Sequence, residues 1–374
     1  MEKTINECFY QIQNGANIKQ GDVEGGFPIT RIETTANDKF NRDRMGYAGI
    51  TDISKYEAYV LEDGDLLMSH INSVQYLGRT VLYVKQPDEI IIHGMNLLRL
   101  KARRNIINPA YARYCFYGHT FRCQIGNITK KSVNQASFAV KDLKQIKIEV
   151  PSLDVQNKVV VILDRVQKII DMRNNELASL DDLIKARFVE LFGDPVSNSK
   201  GLKELTLPEL GELGRGVSKH RPRNAPELLG GEYPLIQTGE VSNAGLYIEN
   251  YENTYSELGY KQSKMWKAGT LCITIAANIA KTAILRFDAC FPDSVVGFKA
   301  NDKTNEIFIH YWFSFFQAIL EAQAPESAQK NINLKILSEL KVIAPDIEEQ
   351  NKFAIFVVQV DKSKVVDIDK KDKL

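Results

Sequence analysis

An α+β chain built from two globular units, each followed by a helical arm, is what this sequence predicts, and three observations predict it. The first is a repeat: Pro151-Ser-Leu-Asp-Val-Gln-Asn-Lys158 returns 194 residues later as Pro345-Asp-Ile-Glu-Glu-Gln-Asn-Lys352, so both copies carry Pro-x4-Gln-Asn-Lys. The second is the run before each proline, where Ile146, Ile148 and Val150, like Leu340, Val342 and Ala344, alternate with other residues as a strand with one buried face does. The third is a seam. Leu163, Val166, Ile170, Arg173, Leu177, Leu180, Ile184, Arg187 and Leu191 follow alternating steps of three and four, and seven of the nine are apolar, which is coiled-coil spacing.

The elements follow in order. Residues 1–150 are expected to form the first globular domain, 151–200 the central helical region, 201–344 the second domain and 345–374 a short second helical region. Gly64-Asp-Leu-Leu-Met-Ser69 and Gly269-Thr-Leu-Cys-Ile-Thr274 look like the same apolar strand in the two domains, and Gly15 corresponds to Gly216. The central helix starts with Asp154 and Val155 after the proline and stops at Gly193-Asp194-Pro195. Leu153 to Phe192 spans 40 residues, which is about 60 Å of helix. So long a helix needs a partner along its seam. The second arm supplies one in part: Phe353, Val357 and Val360 continue a heptad, and Lys364 and Asp367 break it. The dense aromatics Tyr311, Trp312, Phe313, Phe315 and Phe316 read as helix core.

Composition and motifs exclude several classes. No apolar run approaches the roughly 18 residues of a membrane span, and the start MEKTINECFY lacks a secretory pattern. No membrane association and a cytoplasmic location are therefore expected. Five cysteines without a C-x-x-C and five scattered histidines point to reduced thiols and no metal site. There is no Walker loop and no H-E-x-x-H. Asn108-Pro109-Ala110-Tyr111 comes nearest to the base-gripping loop of an adenine methyltransferase, but Ala110 replaces the second proline and no glycine-rich loop precedes it. It reads as an N-cap and the first helical residue. Pro345-Asp346 and Asp369-Lys-Lys371 spell a nuclease-like string on a helical arm, where metal-binding carboxylates lack their strand scaffold. No catalytic residues are expected.

The repeat, together with LIKARFVELFGDP (Leu183 to Pro195) and the runs GRGVSKHRPRN, YPLIQTGEV and GTLCITIAANIAKTAILRFDACFPDSVVGF, resembles the DNA-specificity subunits of type I restriction-modification systems over essentially the whole chain. The resemblance implies two target recognition domains with mixed sheets, joined by two long antiparallel helices forming a coiled coil. It further implies that each domain reads one half of a bipartite site in double-stranded DNA. The helices would set the spacer and dock two methyltransferase subunits, and restriction (translocase) subunits would join for cleavage. S-adenosylmethionine, ATP and Mg would sit on those partners, none on this chain. The residues assigned to helical spacing and docking are Gln156, Leu163, Val166, Ile170, Leu177, Leu180, Ile184, Leu191, Gln350, Phe353, Val357 and Val360. Two departures stand out: the second helix is short and ends in VVDIDKKDKL, unlike the usual ending, and the first recognition domain begins abruptly, with little lead-in before CFYQIQNG.

Candidate DNA-contacting residues follow from local chemistry. Lys219-His220-Arg221-Pro222-Arg223-Asn224 concentrates cations and an amide in one loop; arginine pairs with guanine through two donors and asparagine with adenine. Arg42, Arg44 and Tyr47 form a similar cluster in the first domain. Ser69 and Asn72, and likewise Asn278 and Lys281, follow the two related strands, where short or small residues permit close backbone approach. Lys101, Arg103, Arg104, Lys130 and Lys131 are basic runs that read mostly as plain surface. Only residues 1–150 lean basic, with 20 Lys+Arg against 16 Asp+Glu, so modest salt dependence is expected of the subunit alone. Two alternatives remain open: a truncated or silent cassette that does not assemble, and a scaffold with two duplicated ligand-binding domains.

Overall fold

The computed structural model describes residues 1–21, 25–132, 135–276, 278–323 and 332–365, and it falls into two compact units, Met1–Asp171 and Met172–Leu374. The first unit contains β1 (Glu2–Thr4), α1 (Ile5–Cys8), β2 (Phe9–Asn14), β3 (Leu66–Ser69), β4 (Ile71–Asn72), β5 (Thr80–Leu82), β6 (Leu97–Ala102), α2 (Pro109–Tyr117), α3 (His119–Ile128), β7 (Lys130–Lys131), β8 (Ala136–Ser137), α4 (Val140–Leu143), β9 (Lys147–Glu149) and the opening of α5 (Leu153–Phe192). Its main sheet has the order β2-β6-β3-β5, antiparallel throughout, and among the described residues the bridges Ala16–Gly94 and Ile29–Ile92 are parallel. β3 is apolar on both faces because both are covered. Leu66 and Met68 join Leu98, Leu100, Phe116 and Phe121 beneath α2 and α3, while Leu67 joins Val81, Tyr83 and Leu97 on the other side.

The second unit repeats this plan with additions. It contains the end of α5, then β10 (Glu204–Thr206), α6 (Leu207–Leu210), β11 (Gly211–Arg215), β12 (Leu229–Leu235), α7 (Thr238–Asn243), β13 (Tyr247–Ile248), β14 (Asn253–Tyr255), α8 (Glu257–Lys261), β15 (Met265–Trp266), β16 (Leu271–Thr274), β17 (Thr282–Leu285), β18 (Ala289–Cys290), β19 (Val295–Ala300), α9 (Glu306–Gln323), α10 (Leu334–Glu339), β20 (Lys341–Ile343) and α11 (Ile347–Val365). The sheets run β11-β19-β16-β17-β13 and β14-β12-β18-β15, and both are mixed, since β13 lies parallel to β17 and β12 parallel to β18. Tyr311, Trp312 and Phe313 are buried in α9, as their density predicts.

The duplication goes deeper than the sequence shows. In each unit the first strand pairs antiparallel with the strand that precedes the proline, β1 with β9 and β10 with β20. The following short helix opens with the same capping box, Thr4 with Glu7 and Thr206 with Glu209. After β2 and β11 come Gly15 and Gly216, where a β-carbon would lie 2.2 Å from the Gly94 carbonyl oxygen and 2.3 Å from that of Pro292. Only glycine lets the backbones approach so closely.

In the second unit α11 runs antiparallel to the end of α5. Phe353, near its start, packs edge-on against Phe188 and Phe192, while Lys364, near its end, pairs with Asp181 and accepts a 2.8 Å bond on its carbonyl from Arg173. Ile184, Phe353, Val357 and Val360 are buried in this seam, with Leu177, Leu180 and Leu191 half-buried. The predicted register slips by one residue: Phe188 is buried, while Arg187 turns outward to Glu190 at 2.7 Å. An α-helix has 3.6 residues per turn, so a strict 3.5 spacing drifts along it.

Leu163 is half-buried, whereas Val166 and Ile170 are 46% and 43% exposed, and Lys364, near the end of α11, lies level with Arg173. Residues 366–374, with Asp367 and the Asp369-Lys-Lys371 string, lie outside the described residues.

Candidate nucleic-acid interface

Strand direction decides where the predicted contact residues emerge. In the first unit β2 and β3 both pair antiparallel with β6, so the segments after Asn14 and after Ser69 leave the sheet at the end where β6 begins. In the second unit β11 and β16 flank β19 in the same way, and the segments after Arg215 and Thr274 leave at the end where β19 begins. Each unit thus gathers its polar loops at the equivalent end of its sheet.

In the second unit the geometry brings the two predicted segments together. Arg223, Asn224 and Ala276 line one cavity of about 290 Å³ with Gln237, Thr238, Tyr255 and Ser294. The loop from Lys219 to Asn224 is exposed, yet its backbone is held: the Gln262 side-chain oxygen accepts from the amides of Lys219 and His220 at 2.6 and 3.0 Å. Asp293, two residues before β19, draws both guanidinium groups onto one carboxylate, Arg221 at 3.3 Å and Arg223 on the other oxygen. The turn between β16 and β17 is fastened by Thr274, whose hydroxyl bonds the Asn278 carbonyl and the Lys281 amide. That leaves Asn278 exposed and Lys281 half-buried.

In the first unit the same end is built differently. Ser69 is wholly buried and accepts the Asn72 side-chain amide at 3.3 Å, so it supports the turn and presents no atom outward, contrary to expectation. Asn72 is half-exposed and pairs through β4 with β8, which carries the exposed Lys130 and Lys131 of β7 on its other edge. Arg42 departs furthest from its predicted role. Its guanidinium makes a two-point pair with Glu89 at 2.7 and 2.9 Å and a bond to the Val84 carbonyl, so its donors serve the fold. This contact, with burial opposing it, holds the Glu89 carboxyl down at about 2. Arg44 is exposed and Tyr47 half-buried, bridging to Gly21. Gly21 in turn lines a cavity of about 420 Å³ with Gln20, Arg31 and Asn96, residues the sequence did not single out. Lys101 is buried against Glu62, and Arg104 lies beside Asp63.

Gln156 and Gln350 depart from the docking role as well. Both are 0% exposed and bonded inside their own units, so neither offers a surface to a partner. Among the described residues no group of three or more His, Cys, Asp or Glu could hold a metal, and no helix is long and apolar enough to cross a membrane.

Comparison with known proteins agrees with this architecture. The model of the type I restriction modification DNA specificity domain matches residues 2–181 and again 200–373. The chain is 28% identical over 381 residues to the putative type I restriction enzyme MjaX specificity subunit of Methanocaldococcus jannaschii, covering 99% of this chain and 88% of that protein. In fold it is similar to the type I restriction-modification S subunit from M. genitalium, with a TM-score of 0.53 at 14% identity, covering 100% of this chain and 91% of the other. A chain from a structure concerned with complex assembly and conformational transition of the type I R-M system gives 0.50 at 16% identity, covering 98% and 90%. The chain belongs to the type I restriction-modification DNA specificity family, as a specificity subunit with two recognition domains.

Proposed function

We propose that residues 1–150 and 201–344 each read one half of a split site in double-stranded DNA, and that the helical regions 151–200 and 345–374 hold the two readers apart and dock two methyltransferase subunits. One observation carries the reading: a single architecture is repeated with its strands, caps and helix joints intact, while the loops at the equivalent sheet ends differ in sequence and charge. Repetition with unlike loops suits an asymmetric bipartite target. Arg221, Arg223, Asn224 and Asn278 would contact DNA in the second domain, with Lys219 and Lys281 beside them. In the first, Asn72, Arg44 and Tyr47 would do so, with Lys130 and Lys131 on phosphates.

This chain contributes no catalysis in the proposal. Methyl transfer with S-adenosylmethionine, and cleavage with ATP and Mg, would belong to methyltransferase and restriction subunits in the cytoplasm. The test is co-purification with a methyltransferase, followed by sequencing of methylated bases in cells with and without this gene. A stable complex and loss of one split motif on deletion are expected. An unchanged methylation pattern would reject the reading.

A further inference from the structure

Among the described residues each unit contains one fully buried glutamine, at the root of its arm, and the two sit in nearly the same network. The Gln156 amide nitrogen donates to the carbonyls of Pro151 at 2.8 Å and Ile106 at 2.9 Å, and its oxygen accepts the Asn108 backbone amide at 2.8 Å. The Gln350 nitrogen donates to the carbonyls of Pro345 at 2.8 Å and Lys303 at 3.0 Å, and its oxygen accepts the Thr304 hydroxyl at 2.8 Å. The next residue repeats the pattern. Asn157 accepts the Asn108 side-chain amide at 2.8 Å, and Asn351 accepts that of Asn305 at 3.1 Å. Asn108 and Asn305 also cap the first turns of α2 and α9 through Ala110 and Phe308. The arm's first turn and the domain helix's first turn are therefore closed by one set of bonds.

We propose that Gln156 with Asn157, and Gln350 with Asn351, are positioning residues that fix the angle at which each recognition domain stands on its arm, and thereby the half-site spacing the subunit accepts. The inference rests on the split-site reading above. A buried amide with all its partners in place resists rotation, because tilting the arm strands two carbonyls and one donor at once. Small tilts matter here: about 10° moves an atom roughly 20 Å from the joint by about 3.5 Å, one base-pair step. The repeat in the sequence is, on this account, a repeat of the joint.

The test uses the complex of the full chain with its methyltransferase subunits and DNA carrying the native spacer or one a base pair longer or shorter. Gln156→Met and Gln350→Met keep side-chain size and remove the bonds. The preference for the native spacer is expected to fall about tenfold, mainly through methylation gained on the altered spacers. Asn157→Ala and Asn351→Ala, at the exposed end of the network, are expected to act in the same direction more weakly, and they decide the matter if the glutamine variants do not fold. Folded variants with an unchanged spacer preference would overturn the inference. A measurement without DNA separates this from failure of the functional reading. Spin labels at the exposed Lys85 and Lys168, both in the first unit, should show a broader distance distribution in Gln156→Met or Asn157→Ala, and an unchanged distribution in both would overturn the joint.

Discussion

The two joints and the two loop ends behave in opposite ways. At the joints the units agree almost bond for bond, Gln156 with Gln350 and Asn108 with Asn305. At the sheet ends they agree only in backbone direction: the first unit offers a three-stranded flap bearing Lys130 and Lys131, the second an arginine loop restrained by Asp293. Geometry is kept where the domains are held, and chemistry differs where they would read.

Ile184 is fully buried between α5 and α11, whereas Ile170 on the same helix is 43% exposed. Ile184→Ala should destabilise the second unit by about 2–5 kcal/mol, and Ile170→Ala by less than about 0.5 kcal/mol. Denaturant unfolding of the free subunit checks this, and equal effects would mean that the seam extends over Ile170.

Asp293→Asn releases Arg221 and Arg223 from their carboxylate, so binding to unrelated DNA should tighten about 10-fold while discrimination at one half-site falls. Titration of specific and random duplexes at several salt concentrations reads both effects. In the first unit, Lys130→Ala with Lys131→Ala should lower the slope of log affinity against log salt by about 2 units, if each lysine meets one phosphate.

The smallest effect concerns acid stability. Burial pushes the His93 imidazole down to about 3 in the first unit, and His310 down to about 4 in the second. Because both folded values lie below the ordinary value near 6.5, the unfolded chain takes up these protons first. Stability is therefore full above about pH 6.5 and declines as pH falls toward 4 and 3. His93→Gln, which keeps a donor toward the Leu97 carbonyl, should flatten the first unit's loss between about pH 6.5 and 4, as thermal melting would record.

What was legible in the sequence follows the same division. Pro-x4-Gln-Asn stood out because every polar atom of the glutamine has a partner, which ties identity to position. The Gly15 and Gly216 correspondence was fainter, since a close backbone approach specifies only a missing β-carbon. Arg42 misled because the residue that claims it, Glu89, lies 47 positions away. Asp293 was invisible for the same reason, 72 residues from Arg221. Gln20, Arg31 and Asn96 share a cavity but no local cluster, so no composition signal marks them. The seam register slipped between Arg187 and Phe188 because a strict heptad drifts on a helix of 3.6 residues per turn, which brings Phe188 round to meet Phe308 and Phe353.

If two independent readers stand on matched mounts, the effect should show in the methylated bases of cells whose only copy of this chain carries Arg221→Ala and Arg223→Ala. One half of the split motif is expected to become degenerate while the other half and the spacing between them persist. Relaxation of both halves together, or a motif left unchanged, would contradict that independence.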